Sequence, residues 1–71
     1  MSMLVECVPN FSEGRDAAVI RGITAEIEAV RDVTLLDVDP GEDTNRTVIT
    51  FVGPPEAVVE AAFRAGKRAA E

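Results

Sequence analysis

Seventy-one residues make one small domain, which buries only about 60% of the surface its unfolded chain exposes. A single cysteine excludes an internal disulfide, and without histidine no zinc site built from Cys and His is expected. The net charge of −6, with only Arg64, Lys67 and Arg68 clustered among seven basic residues, argues against a nucleic-acid-binding surface. No run approaches the ~18 apolar residues that span a bilayer, and no basic segment followed by an apolar stretch opens the chain. No membrane partner is therefore expected, and one free thiol without an export signal fits a reducing cytoplasm. Apolar residues are 46% of the chain, with no Trp or Tyr, so the core must be aliphatic with three Phe as large fillers.

The near-continuous apolar run Leu4, Val5, Cys7, Val8 predicts a largely buried strand over 3–8, ended by Pro9, which cannot donate to a ladder. Residues 9–14 then read as a loop, with Asn10, Ser12 and Gly14 as turn or cap formers. Ile20, Ile23, Ile27 and Val30 recur at helical spacing and predict a helix from about residue 15 or 16 to about 31, with Ser12 or Asp16 as its N-cap. A second strand is expected over 33–39 and a third, rich in β-branched residues, over 47–52. The polar turn 40–45 between them is short, which predicts an antiparallel hairpin. Gly53, Pro54 and Pro55 stop the third strand, and a helix runs from about 55 to the chain end. Val59, Phe63, Gly66 and Ala70 share one side of it, beside Val58, Ala62 and Ala69, and its many small residues suit close packing on a sheet. The order strand, helix, strand, strand, helix is the α+β, ferredoxin-like split βαβ pattern without a final strand: an antiparallel sheet with two helices on one face.

Three clusters can carry chemistry. The loop 9–14 leads from a strand into a helix, where N–H groups can meet an anion; plain capping by Ser12 explains it as well. The strand end carries Asp37 and Asp39 on one face, followed by Glu42 and Asp43. Paired carboxylates there can orient a base or bind a cation, although the spacing matches no EF-hand, and Glu42 and Asp43 read as a solvated turn. In Asn45-Arg46-Thr47 the arginine can clamp a carboxylate or pair with Asp39 across the hairpin. Cys7 has no histidine to activate it and reads as a small buried hydrophobe.

The residues 4–14 (LVECVPNFSEG), 35–39 (LLDVD), 45–53 (NRTVITFVG) and 55–62 (PEAVVEAA) resemble, in order and spacing, blocks of the formiminotransferase family. The resemblance implies that residues 1–71 are the N-terminal part of that family's N-terminal subdomain, normally followed by a related second subdomain. It implies transfer of a formimino group between N-formimino-L-glutamate and tetrahydrofolate, the folate co-substrate, in histidine breakdown, without a metal. Some relatives carry a fused cyclodeaminase domain, and some act on formylated folates. A homo-oligomeric full-length protein is expected.

In the family a histidine in a Gly-Glu-His-Pro segment soon after the second helix is the catalytic base. This chain has no histidine, so the base maps to none of its residues, and the chain is expected to be an inactive fragment on its own. By resemblance, Asp39 orients that histidine and stabilises its charge. Asn10, Ser12, Glu13, Asn45 and Arg46 match positions around the site and are expected to bind or support substrate. The competing reading is a small-molecule-binding or regulatory module without catalysis. A third is a structural domain that pairs edge strands with partners.

Overall fold

The computed structural model describes residues 3–70. In chain order the elements are β1 (Val5–Cys7), β2 (Asn10–Phe11), α1 (Ala17–Glu28), β3 (Thr34–Gly41), β4 (Arg46–Gly53) and α2 (Pro55–Ala70). β4 lies at the centre of an antiparallel sheet. β3 pairs with it on one side, as the predicted hairpin, and β1 and β2 both pair with it on the other. This is an open α+β sheet of the ferredoxin-like kind.

The first strand departs from the sequence reading. Cys7 stands opposite Phe51 and Asn10 opposite Val48, so β1 and β2 keep one register and form a single line of chain interrupted at Val8 and Pro9. The Pro9 carbonyl accepts the Ile49 N–H at 3.1 Å, but Pro9 has no N–H to return. Proline thus costs this strand one ladder bond without ending it, and Asn10 and Phe11 belong to the sheet, not to a loop.

Along β4 the side chains alternate. Thr47, Ile49, Phe51 and Gly53 are buried beneath the helices, while Val48, Thr50 and Val52 lie half-buried on the opposite face. Ile49 and Phe51 form the core with Ile23, Ile27 and Val30 from the α1 region and Val58, Ala61 and Ala65 from α2. Each large aliphatic side chain buried there contributes about 1.5–3 kcal/mol. Helix α1 packs on β3 and β4, α2 packs on β1 and β4, and the two helices touch each other.

Asp16, not Ser12, caps α1: its carboxylate accepts from the N–H groups of Ala18 and Val19. The helix ends at Glu28, short of the expected residue 31; Ala29 caps it, and the chain then turns through Asp32 at φ 74°. Val30 is nevertheless buried, as the apolar stripe required. Helix α2 starts at Pro55 as expected but buries a different side. Val58, Ala61 and Ala65 face the core, whereas Val59 and Phe63 are 68% and 70% exposed. Small residues let the helix lie close to its neighbours, and the bulkier stripe is left outside.

Candidate functional site

The two acidic strand residues are placed by a β-bulge. Leu35 stands opposite Phe51 but Asp37 stands opposite Thr50, so Leu36 is the extra residue. Had the register of Leu35 continued unshifted, Asp37 and Asp39 would fall opposite Ile49 and Thr47, both fully buried. The one-residue shift turns both carboxylates to the outer, helix-free face of the sheet, where both are exposed. The Leu35-Leu36 doublet, which breaks the alternation, is the sequence signal for this shift.

On that outer face Asp39 and Asn10 flank Val48 from opposite sides, since both are its register partners. Asp37 stands one pair further along, opposite Thr50, and Glu6 lies opposite Val52. Arg46 shares the face at the turn end, opposite Gly41. Among the described residues the ion pairs all involve helix residues, joining Arg64 to Glu26 and Glu60, and Arg68 to Glu26. Arg46 is therefore not paired with Asp39 across the hairpin. The face presents three carboxylates and one guanidinium, all exposed, over a floor of Val48, Thr50 and Val52. Such groups can accept hydrogen bonds from a cationic or N–H-bearing partner and clamp a carboxylate, respectively.

The remaining expected site residues are brought together differently. The Glu13 carboxylate accepts from the N–H groups of Arg15 (3.3 Å) and Asp16 (3.2 Å), ordering the entry to α1. The Glu13 carbonyl accepts the hydroxyl of buried Thr47. The Gly14 N–H donates to Asn45 Oδ1 at 3.0 Å, and Arg15 Nε donates to the Glu42 carbonyl at 3.0 Å. Asn45 sits at φ 52°, a left-handed conformation that asparagine tolerates. Glu13 and Asn45 thus latch the loop before α1 onto the β3–β4 turn. Gly14 is required there by close approach rather than by its φ. A Cβ on it would lie 2.5 Å from the Gly41 carbonyl oxygen and 2.7 Å from the backbone N and O of Arg46. Thr47 and Gly14, as latch members, were not apparent from the sequence, because their partners lie about thirty residues away. Ser12 is exposed just before the latch and lines a groove with Phe11, Gly66 and Ala69. The latch holds the segments that carry Asn10, Ser12, Asp39 and Arg46, all four of which are exposed.

No helix among the described residues is long and apolar enough to cross a membrane. Residues 4–71 match the family described as formiminotransferase domain, N-terminal subdomain. The formimidoyltransferase-cyclodeaminase of Dictyostelium discoideum is 58% identical over 67 residues, covering 94% of this chain and 12% of the relative. The Mus musculus protein of the same name is 56% identical over 71 residues, covering 100% of this chain and 13% of that one. The glutamate formimidoyltransferase of Streptococcus pyogenes serotype M1 is 46% identical over 71 residues, covering 100% of this chain and 24% of the relative. The chain spans between about an eighth and a quarter of the length of the curated relatives it matches. With a match over residues 4–71 and these identities, the chain belongs to the formiminotransferase N-terminal subdomain family.

Proposed function

We propose that residues 1–71 are the front part of the N-terminal subdomain of a folate-dependent transferase. Its reaction moves a formimino group between N-formimino-L-glutamate and tetrahydrofolate in histidine breakdown. The transfer exchanges one C–N bond for another, so the nitrogen that is attacked from must lose a proton and the departing nitrogen must gain one. An imidazole suits both roles near neutral pH, and this chain has none. In this reading the imidazole comes from elsewhere in a longer polypeptide, and the outer sheet face receives it.

The observation that carries the reading is the position of Asp39. It is an exposed carboxylate near the turn end of β3, turned outward by the bulge, with Asn10 across Val48. A carboxylate there can hold an imidazole in one tautomer and favour its protonated form. Arg46 is suited to a substrate carboxylate, and Asn10 and Ser12 offer neutral hydrogen-bonding groups beside it. Glu13 and Asn45 support the site through the latch rather than by touching substrate.

The test is Asp39→Asn in a chain extended by the histidine-bearing segment of its relatives. The expected result is a kcat at least about tenfold lower, equivalent to ~1.4 kcal/mol, with a smaller change in KM. Asp37→Asn shares the face but lies farther from the turn, and its effect should fall on stability. Equal and small effects of both on kcat would remove the orienting role and favour a binding module without catalysis.

A further inference from the structure

We propose, given the transfer reaction inferred for this chain, that Arg15 is a second substrate-binding residue. With Arg46 it holds the two carboxylates of N-formimino-L-glutamate, so that the turn end of the sheet receives the donor and not the folate. The first observation is that the backbone donors at this end are already engaged. The Gly14 N–H goes to Asn45, those of Arg15 and Asp16 go to the Glu13 carboxylate, and those of Ala18 and Val19 go to the Asp16 carboxylate. The start of α1, where an anion would otherwise find free N–H groups, is thus filled by the chain's own oxygens. An anionic ligand here meets side-chain cations instead.

The second observation is that two guanidinium groups stand at this end without a carboxylate partner. Arg15 Nε donates to the Glu42 carbonyl at 3.0 Å, in the turn that leads to Arg46. That bond anchors the group to the turn and leaves its other N–H donors for a ligand. Neither Arg15 nor Arg46 joins an ion pair among the described residues, and both are exposed. Gly14 brings the two arginines close. A Cβ on it would lie 2.7 Å from the backbone N and O of Arg46, which puts the Cα atoms of Arg15 and Arg46 less than about 10 Å apart. Gly14 beside Arg46 and Gly41 opposite it carry no side chain, so neither neighbour crowds a ligand at the guanidinium.

Reach selects the donor. Arg46 lies about 7 Å along β4, by the rise of a strand, from Val48, which Asp39 and Asn10 flank. In N-formimino-L-glutamate the formimino carbon is about 5–6 Å from the side-chain carboxylate, and the two carboxylate carbons are about 5 Å apart, from bonds of about 1.5 Å. The donor can therefore lie over Val48 with its reacting carbon in the Asp39 row and its carboxylates at the arginines. In the folate a bridge, a benzene ring and an amide separate the reacting nitrogen from the glutamate carboxylates, roughly twice that distance. Each donor carboxylate can take a two-pronged pair of N–H bonds from one guanidinium.

Steady-state kinetics of the full-length, histidine-bearing chain test this. Arg15→Gln should raise the donor KM about tenfold or more, with little change in the folate KM and a smaller change in kcat. The glutamine amide can still donate to the Glu42 carbonyl, so the unfolding midpoint should stay at the parent's value. Arg15→Lys, which keeps the charge, should recover part of the loss. N-formimino-L-glutamine, with an amide in place of the side-chain carboxylate, separates the two arginines. The parent should prefer the glutamate donor in kcat/KM by about tenfold or more. One of Arg15→Gln and Arg46→Gln should abolish that preference, and the other should keep it. A donor KM unmoved by Arg15→Gln, a rise confined to the folate KM, or a preference kept by both variants overturns the proposal. Equal rises in both KM values with a lower unfolding midpoint mark Arg15 as a structural residue and overturn it too. A parent that transfers nothing overturns the reaction itself, on which the proposal rests.

Discussion

Replacing Gly14 by alanine tests the latch between the loop before α1 and the β3–β4 turn. The added Cβ would lie 2.5 Å from one backbone atom and 2.7 Å from two more. All three belong to the main chain of Gly41 and Arg46, so no flexible side chain can move aside. Overpacking of this kind costs about 1–3 kcal/mol. Displacing the loop also strains the 3.0 Å bond from the Gly14 N–H to Asn45, worth about 0.5–1.5 kcal/mol. A loss of about 2–4 kcal/mol is expected. Against a total of about 4–11 kcal/mol for a chain of this length, that is a large fraction, and Tm should fall by about 10–25 °C. Urea unfolding followed by far-UV circular dichroism measures it as a lower midpoint at constant slope. Asn45→Ala removes the same bond and places alanine in a left-handed conformation, for a loss of about 1–3 kcal/mol. The double variant should lose less than the sum, because both changes open one latch. A Gly14→Ala loss below about 0.5 kcal/mol, the range of ordinary surface changes, would refute the reasoning.

Ile27 is fully buried between the helices and the sheet, so Ile27→Ala should cost about 2–5 kcal/mol in the same assay. Leu36→Ala, at an exposed bulge position, should stay within about 0.5 kcal/mol. Asp16→Ala removes the cap that holds the first N–H groups of α1 and should cost about 1 kcal/mol, read as a lower unfolding midpoint. The isolated chain should show no formimidoyl transfer in a coupled folate assay, because it supplies no imidazole and general acid–base catalysis contributes about 10²–10⁴-fold.

Much of the fold was legible because its signals are local. The stripe of Ile23, Ile27 and Val30, the β-branched run of β4 and the paired prolines before α2 each fix an element from neighbouring residues. What escaped depends on partners far along the chain. Pro9 reads as a stop in one dimension, yet β4 holds the chain on either side of it in a single register. The buried side of α2 was misjudged because alanines outweigh Val59 and Phe63 when close helix packing is available. For the candidate site, the shared face of Asp37 and Asp39 was readable from period two. That this face is the outer one depends on the Leu36 bulge, which only pairing with β4 reveals. Glu13 and Asn45 stood out by resemblance, but their latch role depends on bonds spanning about thirty residues.

The two sides of β4 differ in how far along the chain their partners lie. β3 follows directly into β4 through a short turn, while β1 and β2 are separated from it by some forty residues. Contacts between near neighbours close at little entropic cost and form early, and distant ones form late and open first. The hairpin with α2 is thus expected to form as one early unit, and the N-terminal line of chain to dock onto it last. Because successive N–H groups of β4 point in opposite directions, a single strand should report both events. In hydrogen exchange, Ile49 and Phe51, bonded towards the N-terminal line, should lose protection through the smaller opening. Val48 and Thr50, bonded towards β3, should hold theirs until the whole chain unfolds. A period-two alternation of exchange rates within one strand would be the kinetic signature of where the chain closes last.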